Sequence, residues 1–173
     1  VGFEHLIGSG QDDTLDAGGL NGITIEGGAG NDVITGGASF QALYGGDGDD
    51  TIDGGFAAVS FVSDLIDGGA GDDVITGASA GDTIDGGDGN DSIDGNSGND
   101  TIDGGDGKDS LIGGGGADSL IGGRGGDMID GGDGDDIIDA GGASDEVYGG
   151  TGNDVIDAGG GNDTVEAGDG TDT

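Results

Sequence analysis

Residues 83–109 read TIDGGDGNDSIDGNSGNDTIDGGDGKD, and three residue types recur there at intervals of nine. Aspartate falls at 91, 100 and 109, isoleucine at 84, 93 and 102, and glycine fills most of the places between. Counted from its first glycine the unit is GGxGxDxUx, where U is aliphatic. Nine segments fit it in full, beginning at Gly27, Gly45, Gly68, Gly86, Gly104, Gly113, Gly122, Gly131 and Gly149. A period held over most of a chain is read as a repeat architecture before any local propensity is weighed.

Outward from this stretch the phase continues. From residue 68 the sixth position is always aspartate: Asp73, Asp82, Asp91, Asp100, Asp109, Asp118, Asp127, Asp136, Asp145, Asp154, Asp163 and Asp172. Toward the start, Asp13, Asp32 and Asp50 hold the same position, but the pattern is interrupted. The segment after Asp16 is one residue too long, with Gly22 near the aspartate position. The next faulty segment, at Gly36, has Gln41 there, and the one at Gly54 carries five extra residues before Asp64. The chain therefore divides into a lead-in at 1–7, an irregular repeat region at 8–67 and a regular one at 68–173.

Each unit has two physical halves. The first six positions are turn chemistry, because glycine permits positive φ and close backbone approach, and Asn or Asp tolerates left-handed conformations and hydrogen-bonds locally. The last three, Thr-Ile-Asp at 83–85 and 101–103, alternate polar, apolar and polar, the pattern of a very short strand with one side chain inward. Glycine recurring within every turn of any candidate helix argues against helix. Turns alternating with short strands of fixed length coil into an all-β solenoid in which two units make one circuit and residues 18 apart stack. The inward positions form two columns: Ile75, Ile93, Leu111, Ile129, Val147 and Val165 in one, Ile66, Ile84, Ile102, Leu120, Ile138 and Ile156 in the other.

Composition sets a condition on that solenoid. The 173 residues hold 38 Asp and Glu against 2 Lys and Arg, a formal charge of -36, with 50 Gly, no Pro and no Cys. Low hydrophobicity with such charge is the signature of disorder. One buried aliphatic per nine residues cannot offset the entropy of ordering the other eight. Collagen is excluded by the lack of Pro and of a three-residue period, disulfides and thiolate metal sites by the lack of Cys, and nucleic acid by charge. No apolar run approaches the ~20 residues that span a bilayer. No signal-peptide pattern of basic start plus apolar stretch opens the given sequence, whose first residue is Val1. The expectation is an excerpt of a longer protein.

The missing stabilisation points to cations. Stacked circuits lie about 4.8 Å apart, so Asp91 faces Asp109 and Asp100 faces Asp118; like charges at that distance repel by about 3–4 kcal/mol at an effective dielectric near 20. A divalent cation reverses the sign. Ca²⁺ takes six to eight oxygens and accepts carbonyls beside carboxylates, whereas Mg²⁺ demands a tight octahedron and transition metals want His or Cys. Multiple Ca²⁺ ions are therefore expected, with ordered structure dependent on them.

The segments GGAGNDVIT at 27–35, GGDGDDTID at 45–53 and GGTGNDVID at 149–157 resemble the RTX, or repeats-in-toxin, nonapeptide, a known calcium-binding β-helix repeat. The resemblance covers nearly the whole chain from Gly8. It implies a right-handed parallel β-roll with calcium held between consecutive loops of one edge by the position-six Asp and loop carbonyls, as where Gly86, Asp88 and Asn90 stack beneath Gly104, Asp106 and Lys108. It also implies type I secretion, the chain unfolded in the calcium-poor cytosol and folding outside, hence a secreted, extracellular or cell-surface location. The loops near Gly22 and Gln41 depart from the pattern, and calcium is not expected there.

Other residues read as structural. The position-nine acids Asp67, Asp85, Asp103, Asp139 and Asp157 form an outward, solvated ladder; His5 is the only histidine; Lys108 and Arg124 relieve charge on one edge. No HExxH, GxSxG or Cys nucleophile is present, so no catalytic role is expected. Counted alternately, the units ending in Asp13, Asp32, Asp50 and Asp73 share one edge, and the damaged units of Gly22, Gln41 and 54–64 share the other. Phe40, Phe56 and Phe61 fall in those damaged loops, with Phe40 expected against one of the other two, either as an apolar plug or as a surface for self-association or a neighbouring domain. Three roles follow: a calcium-binding folding and secretion module, a structural block of an adhesin, surface layer or filament, or the repeat region of a secreted protease, lipase or toxin.

Overall fold

The structure is a computed structural model that describes residues 4–18, 20, 22–55 and 62–173. Among these residues there is no helix, and eighteen strands build two parallel sheets of nine. The first sheet runs β1 (His5–Ile7), β3 (Thr24–Ala29), β5 (Ala42–Asp47), β7 (Leu65–Ala70), β9 (Thr83–Asp88), β11 (Thr101–Asp106), β13 (Ser119–Ile121), β15 (Ile137–Asp139) and β17 (Val155–Asp157). Between them in the chain, and stacked as the second sheet, come β2 (Thr14–Asp16), β4 (Val33–Thr35), β6 (Thr51–Asp53), β8 (Val74–Thr76), β10 (Ser92–Asp94), β12 (Ser110–Gly115), β14 (Met128–Asp133), β16 (Glu146–Thr151) and β18 (Thr164–Glu166). Odd strands in one sheet and even strands in the other mean that the chain crosses between sheets at every turn. This is the solenoid expected from the period, a parallel β-roll. The stretch 1–7, read from the sequence as a lead-in, contributes β1, which pairs with β3.

Register follows the 18-residue rule in the regular region, with Ile93 opposite Leu111 and Ile84 opposite Ile102. In the irregular region the spacing stretches to 19 residues between Leu15 and Ile34 and to 23 between Leu43 and Ile66. Aliphatic still faces aliphatic, because a slip by one would turn each buried side chain to solvent. The extra residues lie between the strands and leave the pairing intact. Both columns form the core; Ile66, Ile102 and Ile129 are fully buried, whereas Ile156 is only partly buried and Val165 is 47% exposed.

One expectation needs correction. The strands are not all three residues long, since eight of them continue for six into the glycine half of the unit. Gly87 pairs with Gly105 and Asp88 with Asp106. The ladder extends because it satisfies backbone groups that a buried turn would leave unpaired.

Candidate metal centre

The turns bring the position-six side chains into two rows, one along each edge of the roll. In each row the backbone N–H of one residue donates to Oδ1 of the aspartate one circuit later. One row runs Asp13, Asp32, Asp50, Asp73, Asp91, Asp109, Asp127, Asp145 and Asp163, with N to Oδ1 distances of 2.7–3.1 Å. The other runs Gln41, Asp64, Asp82, Asp100, Asp118, Asp136, Asp154 and Asp172, over the same range. The Gly22 N–H reaches Ser39 Oγ at 3.2 Å, which places that loop beside Gln41. The carboxylates do not simply face one another, as the spacing alone suggests. A peptide N–H is interposed at every step and offsets part of their repulsion.

Oδ1 is thus committed, and Oδ2 is left over. Among the described residues, Oδ2 is buried with no hydrogen-bond partner in Asp32, Asp50, Asp73, Asp91, Asp100, Asp109, Asp118, Asp127, Asp136, Asp145 and Asp154. A buried carboxylate oxygen without a partner is costly, and eleven of them, seven along one edge and four along the other, call for positive counterparts. Burial pushes the Asp73 and Asp100 carboxyls up to about 7 and those of Asp64, Asp109 and Asp136 up to about 6, against an ordinary 3.8. The donated N–H of the preceding loop pulls each of these back down, and neighbouring carboxylates add to the rise. Asp50, Asp82, Asp91, Asp118 and Asp127 are raised as well, burial again the largest cause.

In ten of the eleven loops position one is glycine, and the space beside Oδ2 is lined by a backbone oxygen of the next loop; in the loop of Asp145 position one is Ala140. A Cβ placed on Gly104 would lie 2.7 Å from Asp109 Oδ2 and 2.8 Å from the Gly122 carbonyl oxygen. The same pair of atoms meets at Gly86, where Asp91 Oδ2 and the Gly104 carbonyl each lie 2.6 Å from that point. Glycine at position one thus leaves carboxylate and carbonyl oxygens converging from two successive loops, with no side chain between them. Among the described residues no three His, Cys, Asp or Glu side chains converge on one point, so a cation here would draw most of its ligands from carbonyls. One carboxylate oxygen plus neutral carbonyls is a hard-oxygen set that fits Ca²⁺ and not a transition metal.

The remaining sequence candidates fall in different places. Gly86 and Gly104 are buried and present their carbonyls to the preceding loop, whereas the side chains of Asp88, Asn90, Asp106 and Lys108 are exposed. The Asp88 and Asp106 carbonyls accept the N–H groups of Gly71 and Gly89 at 2.8 Å. Asp106 holds Arg124 through both carboxylate oxygens, at 2.8 and 3.0 Å. Asp163 and Asp172 are half-buried at the last turns. Asp64 is buried, and its Oδ1 accepts the Gln41 N–H.

Two position-six carboxylates have their second oxygen occupied by their own loop, Asp13 by Ser9 N–H at 2.6 Å and Asp82 by Ala78 N–H at 2.8 Å, and the single side-chain oxygen of Gln41, Oε1, likewise accepts the Gly37 N–H at 3.0 Å. Gln41 also donates through Nε2 to the Ser39 carbonyl. Phe40 is 52% exposed, and its expected partners Phe56 and Phe61 lie outside the described residues.

Sequence reading missed a second ladder. Position-five side chains accept N–H groups in the opposite sense, Asn31 N–H to Asp12, Asp49 N–H to Asn31, Asp72 N–H to Asp49, Asn90 N–H to Asp72 and Lys108 N–H to Asn90, at 2.8–3.1 Å. Short acceptor side chains recurring at that position, Asn or Asp in most units, were the signal available.

No curated protein matches the chain. The profile of the RTX calcium-binding nonapeptide repeat (4 copies) matches residues 24–39, 42–57, 63–84, 76–111, 112–147 and 139–173. With parallel circuits, stacked aspartates and carbonyl-lined pockets in the places such a repeat requires, the chain belongs to the RTX calcium-binding nonapeptide repeat family.

Proposed function

We propose that this calcium-binding repeat region is a folding module of an exported bacterial protein, unstructured at low calcium and wound into its roll by Ca²⁺ after export, the family's type I route supplying the passage. The eleven buried Oδ2 atoms, in two rows along the edges, carry the reading. Without a cation each is a buried, unpartnered anionic oxygen in a chain of charge -36. With one, the same oxygen joins two successive loops, so each bound ion rewards the circuit already formed and folding is cooperative. A calcium-poor cytosol keeps the chain extended for passage, and a secreted or cell-surface setting supplies the ions. Circular dichroism with excess chelator and with millimolar Ca²⁺ tests this. Disorder giving way cooperatively to β structure is expected, and a strand-rich spectrum in chelator would refute it.

A structural role in an adhesin, surface layer or filament is the second reading. It is favoured by Val33, Val74 and Met128 on the outer face of the second sheet and Ile137 and Val155 on that of the first, all 44–57% exposed. Packing of rolls side by side would cover them. Sedimentation in calcium at high protein concentration distinguishes the two, a strictly monomeric roll counting against the structural role.

A further inference from the structure

The eleven loops with an unpartnered Oδ2 share one backbone feature. In every one, position two has positive φ, from 69° at Asn96 to 119° at Gly46. Ten of these residues are glycine, and the eleventh is asparagine, the side chain that best tolerates the left-handed region. Ser9, Gly37 and Ala78 occupy the same position without positive φ. In those three loops, and in no other among the described residues, the position-two N–H donates to the position-six side chain. The backbone of one residue thus decides the fate of the second oxygen. Positive φ leaves it free, whereas ordinary φ aims the N–H at it, into the direction from which a cation would approach.

Resting on the calcium reading above, we infer that position two selects whether a loop takes calcium, and that the loop Gly77–Asp82, although it carries the aspartate, closes on itself and takes none. Ala78 is the cause, since its Cβ penalises the conformation that Gly105 adopts at φ 96°. The two edges then differ. Among the described residues, one carries buried free Oδ2 atoms from Asp32 to Asp145 and the other from Asp100 to Asp154. On that second edge Gly22, Gln41 and Asp82 are held by hydrogen bonds to Ser39, Gly37 and Ala78 that need no metal.

The test is a crystal of the full chain grown in millimolar CaCl₂, with anomalous scattering used to locate calcium loop by loop. Calcium is expected beside Asp91 and Asp100 and absent beside Asp82 in the wild type. Ala78→Gly should add one ion per chain, beside Asp82. Asn96→Ala should remove the one beside Asp100, because alanine favours the closed conformation. Calcium beside Asp82 in the wild type, or none there in Ala78→Gly, would overturn the inference while leaving the calcium reading intact. Absence of calcium from every loop would overturn that reading and this inference with it.

Discussion

The backbone N–H of Asp91 donates to Oδ1 of Asp109 at 2.9 Å, while Oδ2 of the same carboxylate is buried without a partner. One side chain therefore does two jobs: it ties the preceding circuit through one oxygen and faces the pocket shared with the Gly122 carbonyl through the other.

Those two jobs can be separated by substitution. Asp109→Asn retains a carbonyl oxygen for the Asp91 N–H but loses the anionic ligand, so a higher calcium concentration should be needed to fold the chain while the strand register survives. Asp109→Ala loses both, adding about 1.5–3 kcal/mol for the hydrogen bond to a charged acceptor. Calcium titrations followed by circular dichroism should rank wild type, Asn and Ala in order of rising midpoint, and equal midpoints for Asn and Ala would show that the Oδ1 bond contributes nothing.

Acidity should act in opposite directions with and without calcium. The Asp73 and Asp100 carboxyls are raised to about 7 and those of Asp64, Asp109 and Asp136 to about 6, chiefly by burial. Groups raised in the folded state bind more protons there than when unfolded. Their contribution favours the metal-free roll below about pH 4 and is lost as pH rises through 6 to 7. Calcium needs the ionised form, and the calcium-free chain is unstructured with its carboxyls near their ordinary 3.8, so apparent affinity should fall only as pH approaches 4, on the order of tenfold per pH unit below that for each proton released. Titrations at pH 4, 5 and 7.5 measure the shift, with nearly equal midpoints expected at pH 5 and 7.5 and a higher one at pH 4.

Close stacking depends on particular glycines. A Cβ on Gly107 would sit inside the radius of the Gly89 carbonyl oxygen, whereas one on Gly115 would meet nothing within 4 Å. Gly107→Ala should destabilise the calcium-loaded roll by about 2–4 kcal/mol, the range of backbone conflicts that cannot relax. Gly115→Ala should fall within about 0.5 kcal/mol of wild type, as substitutions free of such conflicts do. Chemical denaturation in saturating calcium compares them directly.

The core should matter even though it is thin. Ile102 is fully buried between Ile84 and Leu120 in the first sheet. Replacing it with alanine should cost about 2–5 kcal/mol, and because each circuit touches only its neighbours the loss should be local. Hydrogen exchange in calcium should show protection falling around β9, β11 and β13 and persisting near β5.

Much of this was legible in the sequence. Period nine, with an aliphatic at position eight and an aspartate at position six, sufficed to name both columns, the 18-residue register and the two edges, since side-chain alternation and parallel stacking leave few other arrangements. The five extra residues before Asp64 were also visible, and they match the 23-residue spacing at which Leu43 stands opposite Ile66. The acidic excess, the lack of Cys and the single His also narrowed the metal to one that binds oxygen.

What tertiary structure alone decided was the direction of each polar group. Spacing says that Asp91 and Asp109 are neighbours, but not that an N–H stands between them. It assigns Asp82 and Asp91 the same position, whereas the folded chain caps one with Ala78 N–H and leaves the other open. The six-residue strands escaped for the same reason, glycine being read as turn when its backbone continues the ladder. A repeat determines which residues become neighbours. The φ angle at the turn, answering to the circuits above and below, determines which way their N–H and C=O groups point, and calcium depends on that.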